Sequence, residues 1–184
     1  MVTLPLMLGT GSCGERGTPR PRGHFRIDLP EKEYRLYDSI CPFTFEYPVY
    51  GYVAAEPGIT EPCWFNIEFP EYGGKIHLSY IGIEGNLDLL TEDAHTLAYK
   101  HTVKADAINE RYWENREKRV FGTLYSITGN AASSLQFYLT DSTKHYLRGA
   151  LYFNVTPDKD SLKPVIDFFS ADVIHLVETL EWKY

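Results

Sequence analysis

The 184-residue chain has no apolar stretch near the roughly 20 residues that a membrane-spanning helix needs. It has no excess of basic residues. Lys and Arg number 18 against 25 Asp and Glu, for a net charge of -7. A protein held on nucleic acid by phosphate contacts needs the opposite balance, so no nucleic-acid partner is expected. Cysteine is scarce, at three, and no Cys-x-x-Cys occurs, which argues against a zinc knuckle or a dithiol redox motif. The histidines (His24, His77, His95, His101, His145 and His175) include no i, i+4 pair and no His-Glu-x-x-His. No metal site is therefore expected from spacing. There is no Gly-x-Ser-x-Gly and no P-loop. Gly9-x-Gly11-x-x-Gly14 matches a dinucleotide fingerprint formally, but no strand precedes it and Pro19 and Pro21 follow where a helix should open. No cofactor is expected. What is present is globular in kind: 43% hydrophobic and 15% aromatic residues, enough for one domain with a sizeable core.

The N-terminus has its own logic. Met1 to Leu8 is mostly apolar, Gly9 to Ser12 is small, and Cys13 follows. This resembles the end of a bacterial lipoprotein signal, in which small side chains fit the peptidase and the cysteine is acylated. No Lys or Arg precedes the run, and it is short for a secretory core. Residues 1–12 therefore read as a signal remnant with the true start upstream, and Cys13 as the lipidation site. A frayed terminus with a free thiol is the alternative. Residues 13–24, rich in Arg, Pro and Gly, read as a stiff tether. Arg16, Arg20 and Arg22 would gain about 1 kcal/mol each against anionic headgroups, or simply be solvated. With Cys13 lipidated, Cys41 and Cys63 remain as a pair. An exported chain permits a disulfide between them, contributing roughly 3 kcal/mol through loop closure; two buried thiols are the other reading.

Residues 25–184 read as a single α+β domain. Phe43 and Phe45 alternate with Thr44 and Glu46, and a short run from Tyr50 to Ala54 follows. Cys63, Phe65, Ile67 and Phe69 alternate with polar partners until Pro70, and Gly73-Gly74 turns the chain into a second arm. Residues 63–69 and 75–81 thus read as a hairpin. The period then changes. Leu87, Leu90, Ala94, Leu97, Ala98, His101 and Ala105 make one face of a helix capped by Asn86 and ending near Asp106. Three further strands follow, at 121–127, 135–140 and 146–155. The last segment carries a helical stripe through Leu162, Val165, Phe169, Val173, Leu176 and Leu180.

No catalytic constellation is visible. Glu46, Glu68 and Glu178 are possible acid/base groups, with His77 a possible partner, but sequence does not bring them together. Arg148 is unusual, standing mid-strand among apolar residues in His145-Tyr146-Leu147-Arg148-Gly149-Ala150. Tyr146, Arg148 and Tyr152 share a face, which reads as an interaction surface or as a snorkelling stripe under a helix.

Several motifs carry a resemblance. They are Phe25-Arg26-Ile27-Asp28 with Pro30, Cys41-Pro42-Phe43-Thr44-Phe45, Lys104-Ala105-Asp106, Gly129-Asn130-Ala131-Ala132, Gln136-Phe137-Tyr138, Thr140 to His145, and Glu178-Thr179-Leu180-x-Trp182. Together they resemble the gliding motility lipoprotein GldD family of Bacteroidota across residues 13 to 182. The resemblance implies a lipid anchor on Cys13 and a Cys41–Cys63 pair. It implies a role in gliding motility, type IX protein secretion or both, with no enzymatic activity. The expected partners are other gliding or secretion lipoproteins, and the membrane through the anchor. The expected location is the bacterial envelope, facing the periplasm. A small-ligand carrier and, less favoured, an envelope hydrolase using Glu68 or Glu178 with His77 are the alternatives. The element order also resembles the Mog1/PsbP-like α/β/α sandwich, an antiparallel sheet flanked by two main helices; that analogy speaks to fold and not to function.

Overall fold

The computed structural model describes residues 28–154 and 159–184, so Cys13 and the expected tether lie outside the described residues. The elements run β1 (Tyr34–Asp38), β2 (Phe43–Pro48), β3 (Tyr52–Ala55), β4 (Trp64–Phe69), β5 (Gly74–Gly82), α1 (Leu87–Tyr99), β6 (Ala105–Asn115), β7 (Val120–Gly129), β8 (Ser133–Thr140), β9 (His145–Phe153), α2 (Lys159–Thr179) and β10 (Glu181–Trp182). Seven strands form one sheet in the order β3-β4-β5-β9-β8-β7-β6, and three form a second in the order β1-β2-β10. Every pairing is antiparallel.

The β4–β5 hairpin forms where its alternation predicts. Phe65 sits opposite Leu78 and Ile67 opposite Ile76, so each pair points to one face. Pro70–Tyr72 makes a 3-10 turn closed by Gly73, whose φ of 59° is the left-handed conformation that favours glycine. The return strand β9 then inserts between β5 and β8 and extends the same two faces. On one face lie Phe65, Ile67, Phe69, Ile76, Leu78, Phe137, Leu139, Leu147 and Leu151, all buried.

Two units cover that face side by side. α2 lays its predicted stripe on it, with the Phe169 ring 4.6 Å from Phe69 and 5.9 Å from Phe153. The small sheet adds Phe43 and Phe45, 6.4 and 6.5 Å from Phe65. Full burial of each such ring stabilises by about 1.5–3 kcal/mol. The Phe137 ring lies across Gly149 so closely that an added Cβ would overlap it, which is why glycine stands mid-strand there. On the opposite face α1 packs through Ala94 and Ala98. The result is an α/β/α sandwich whose α2 layer is widened by a three-stranded sheet.

Cys41 and Cys63 are disulfide-bonded, with Cα atoms 5.7 Å apart. The bond pins the β1–β2 loop to the start of β4.

Two readings need correction. The first helix ends at Tyr99 in a 3-10 turn over Lys100–Val103, and Ala105 and Asp106 belong to β6. Asn86 precedes the helix, but its side-chain oxygen accepts from the Glu84 amide at 2.9 Å and gives no cap bond. Strand β6, which the sequence pattern did not single out, pairs with β7 at the edge of the sheet. The side chains of His101 and Leu162, and residue Val155, lie outside the described residues.

Candidate functional site

The face under α1 is covered unevenly. α1 packs over β8 and the start of β9. Farther out, Glu68, Lys75, His77, Arg148 and Tyr152 stay half-exposed, while Asn66 and Ser79 are buried. Strand alternation places Asn66 and Glu68 of β4, Lys75, His77 and Ser79 of β5, and Arg148 and Tyr152 of β9 on this face.

Asn66 organises the group. Its side chain is only 1% exposed. Its amide donates to Glu56 Oε2 and, at 3.0 Å, to Glu68 Oε1. The amide nitrogen must therefore face the carboxylates, leaving Oδ1 to accept from His77 Nδ1 at 2.9 Å. The tautomer follows: Nδ1 carries the hydrogen and Nε2 is the acceptor. Burial lowers the His77 pKa; Arg148 and Lys75 push the same way while Glu56 opposes them, so the ring is neutral near pH 7.

Arg148 reaches over the same floor and donates to Gln136 Oε1 at 3.2 Å. Gln136 is itself 2% exposed, so a buried amide holds the arginine in place. Tyr152 lines an adjoining open cleft of about 540 Å³ together with Glu68 and Lys75.

The sequence-derived surface therefore divides. Arg148 and Tyr152 stand on the accessible part. Tyr146 does not: it is 1% exposed, lies beneath α1 and donates its hydroxyl to the Leu90 carbonyl at 2.8 Å. Alternation put it on the right face, but the helix covers that end of it.

The possible acid/base residues also divide. Asn66 joins Glu68 to His77. Glu46 instead binds His175 Nε2 at 2.7 Å, and Glu178 lies on α2 in the opposite layer. No hydroxyl or thiol is hydrogen-bonded to His77 among the described residues, so no nucleophile–base pair forms there. No cluster of three metal-ligating side chains occurs among the described residues.

One charged cluster escaped the sequence reading. Asp172 of α2 is fully buried and accepts from Lys32 Nζ at 2.6 Å, Tyr34 Oη at 3.0 Å and Tyr50 Oη at 2.7 Å. The only signal was an acid inside an apolar helical stripe. Its partners are too distant in sequence for any local pattern to reveal them.

A family model described as gliding motility lipoprotein GldD matches residues 14–182. No match was found among curated proteins. Among solved structures, the solution structure of cyanobacterial PsbP (CyanoP) from Synechocystis sp. PCC 6803 is similar at a TM-score of 0.51 and 13% identity. The alignment covers 94% of this chain and 98% of that one. At that identity the likeness shows the α+β sandwich and no more.

Proposed function

The chain belongs to the gliding motility lipoprotein GldD family, and on that premise we propose that it is a lipid-anchored, non-enzymatic binding component of the gliding or type IX secretion apparatus. The family gives the role in gliding motility and the character of an envelope lipoprotein. The single observation that supports the binding role is the half-exposed polar surface of Arg148, Tyr152 and His77, held by the buried amides of Asn66 and Gln136. Acylated Cys13 anchors the domain, facing the periplasm. Arg148, Tyr152, His77 and the two carboxylates on Asn66 form the surface that meets other lipoproteins of the apparatus.

The arrangement suits recognition. Its charged groups are held in place by buried amides and remain half-exposed, which gives orientation without burying unpaired charge. A carrier reading has one feature in its favour, the cleft beside Tyr152, and predicts saturable binding of a small polar ligand.

The test is a crosslinked pull-down from the native envelope, read by mass spectrometry. Recovery of other gliding or secretion lipoproteins, reduced by Arg148→Ala, supports the binding role. Recovery of small ligands alone favours the carrier. Unchanged gliding and secretion in a clean deletion strain overturns the proposal.

A further inference from the structure

We propose that the Lys32–Asp172 contact is a force-bearing latch, backed by the Cys41–Cys63 disulfide, through which load on the N-terminal side enters the domain. The inference rests on the anchoring reading above for its biological use, but not for its mechanics.

Lys32 lies just before β1, on the segment by which the N-terminal region joins the domain. Its ammonium bonds Asp172 at 2.6 Å, the Phe168 carbonyl at 2.9 Å and the Tyr50 hydroxyl at 3.0 Å. It also sits 3.2 Å from the centre of the Phe168 ring. Two residues on, Tyr34 bonds the same carboxylate, and its ring stacks on His175 at 3.6 Å. A fully buried carboxylate that loses its cation is strongly penalised. The latch therefore opens as a unit.

Beyond the latch β1 has further anchors: Arg35 donates to the Gly51 carbonyl at 2.6 Å, Tyr37 stacks 4.8 Å from Phe45, and Asp38 pairs with Lys183. β1 is an edge strand paired only with β2, from Tyr34 opposite Pro48 to Asp38 opposite Thr44. Load from the N-terminal side would peel that ladder one pair at a time, because the bonds are met in sequence and not together. The latch is the first of these holds that load from the N-terminal side meets, ahead of the Arg35, Tyr37 and Asp38 contacts. The disulfide then stops the peeling: Cys41 follows β1, and Cys63 precedes β4 inside the seven-stranded sheet. The released segment, from Lys32 to Cys41, reaches at most about 36 Å. After that, load passes through the sulfur bridge into β4 and bypasses β2.

The experiment is single-molecule force spectroscopy on the full chain. One handle is attached to the Cys13 thiol and the other to an azide-bearing residue replacing Glu92 on α1. The oxidised protein should give a first event whose extension stays within about 36 Å. Lys32→Met should lower the force of that event, and Cys41→Ala with Cys63→Ala should remove its length limit. Tyr34→Phe, which keeps the ring, should give an intermediate force. Hydrogen exchange checks that the variants fold: β1 amides should exchange roughly tenfold to a hundredfold faster in Lys32→Met, with β8 and β9 unchanged. An unchanged first event in Lys32→Met, or equal extensions with and without the disulfide, overturns the latch. Fractionation of Cys13→Ala reads the anchor separately, so either idea can fail alone.

Discussion

On the α2 side of the seven-stranded sheet, Phe69, Phe137 and Phe169 are at most 1% exposed and belong to one hydrophobic core. On the α1 side of the same strands, His77, Arg148 and Tyr152 stay half-exposed above the buried amides of Asn66 and Gln136. Strand alternation delivers one set to each side. The covering layers then differ: α2 and the small sheet close one face, while α1 closes only part of the other. The first face stabilises the domain. The second can hold polar groups in fixed positions because the first supplies the stability.

The largest expected effect tests the closed face. Phe169→Ala removes a ring from its centre and should cost about 3–5 kcal/mol, measured by chemical denaturation. A cost near that of a surface substitution would mean that α2 does not seal the sheet.

The disulfide comes next. Replacing Cys41 and Cys63 with alanine should cost about 3 kcal/mol through the unfolded chain, with a matching fall in denaturation midpoint under oxidising conditions only. The same fall under reducing conditions would show that packing, and not the crosslink, was lost.

Acid should act on polar groups at the sheet. His77 and His145 are held below their ordinary value of 6.5, in both cases first by burial. The unfolded chain therefore takes up protons before the native one does. Stability from these groups is full above about pH 6.5 and falls as pH drops below it. Burial works to raise the Asp141 pKa, but bonds from the amides of His145, Lys144 and Thr143 outweigh it and hold the carboxyl well below its usual range. That adds a second loss as pH falls below 3.8. Calorimetry across this range should show both declines, and His77→Gln should flatten the first. An identical profile in that variant would remove His77 from the account.

The smallest expected stability change falls on the open face. Arg148→Ala should cost about 1 kcal/mol, because truncating the half-exposed arginine lets water reach the buried Gln136 amide and replace the lost donor. Its effect should show in capture of envelope partners instead. A large loss of stability with unchanged capture would make Arg148 part of the core and end the contrast between the faces.

The strands legible in the sequence are those with one apolar and one polar side. β2, β4, β5, β7, β8 and β9 follow from alternation of two, and α2 from its stripe. β1 and β6 did not show, for a related reason. Both are edge strands with little buried surface: β6 exposes most of Ala105 to Asn115, and β1 exposes Leu36 at 62%. An edge strand is held by backbone bonds to one neighbour, which leave no hydrophobic signature. The end of α1 was missed because Ala105 fits the helical stripe, while its pairing with Gly129 draws it into β6.

The candidate site shows the same division. Residue order alone determined that Tyr146, Arg148 and Tyr152 share a side, because the side-chain period of a strand is fixed by its backbone. It also supplied the family resemblance and the cysteine pair. Only the tertiary structure decided that α1 buries Tyr146 and leaves Arg148 half-exposed, that Asn66 joins Glu56, Glu68 and His77, and that Asp172 meets Lys32. Those outcomes depend on contacts between residues far apart in the chain, and a local period carries no information about which distant element will cover a given face.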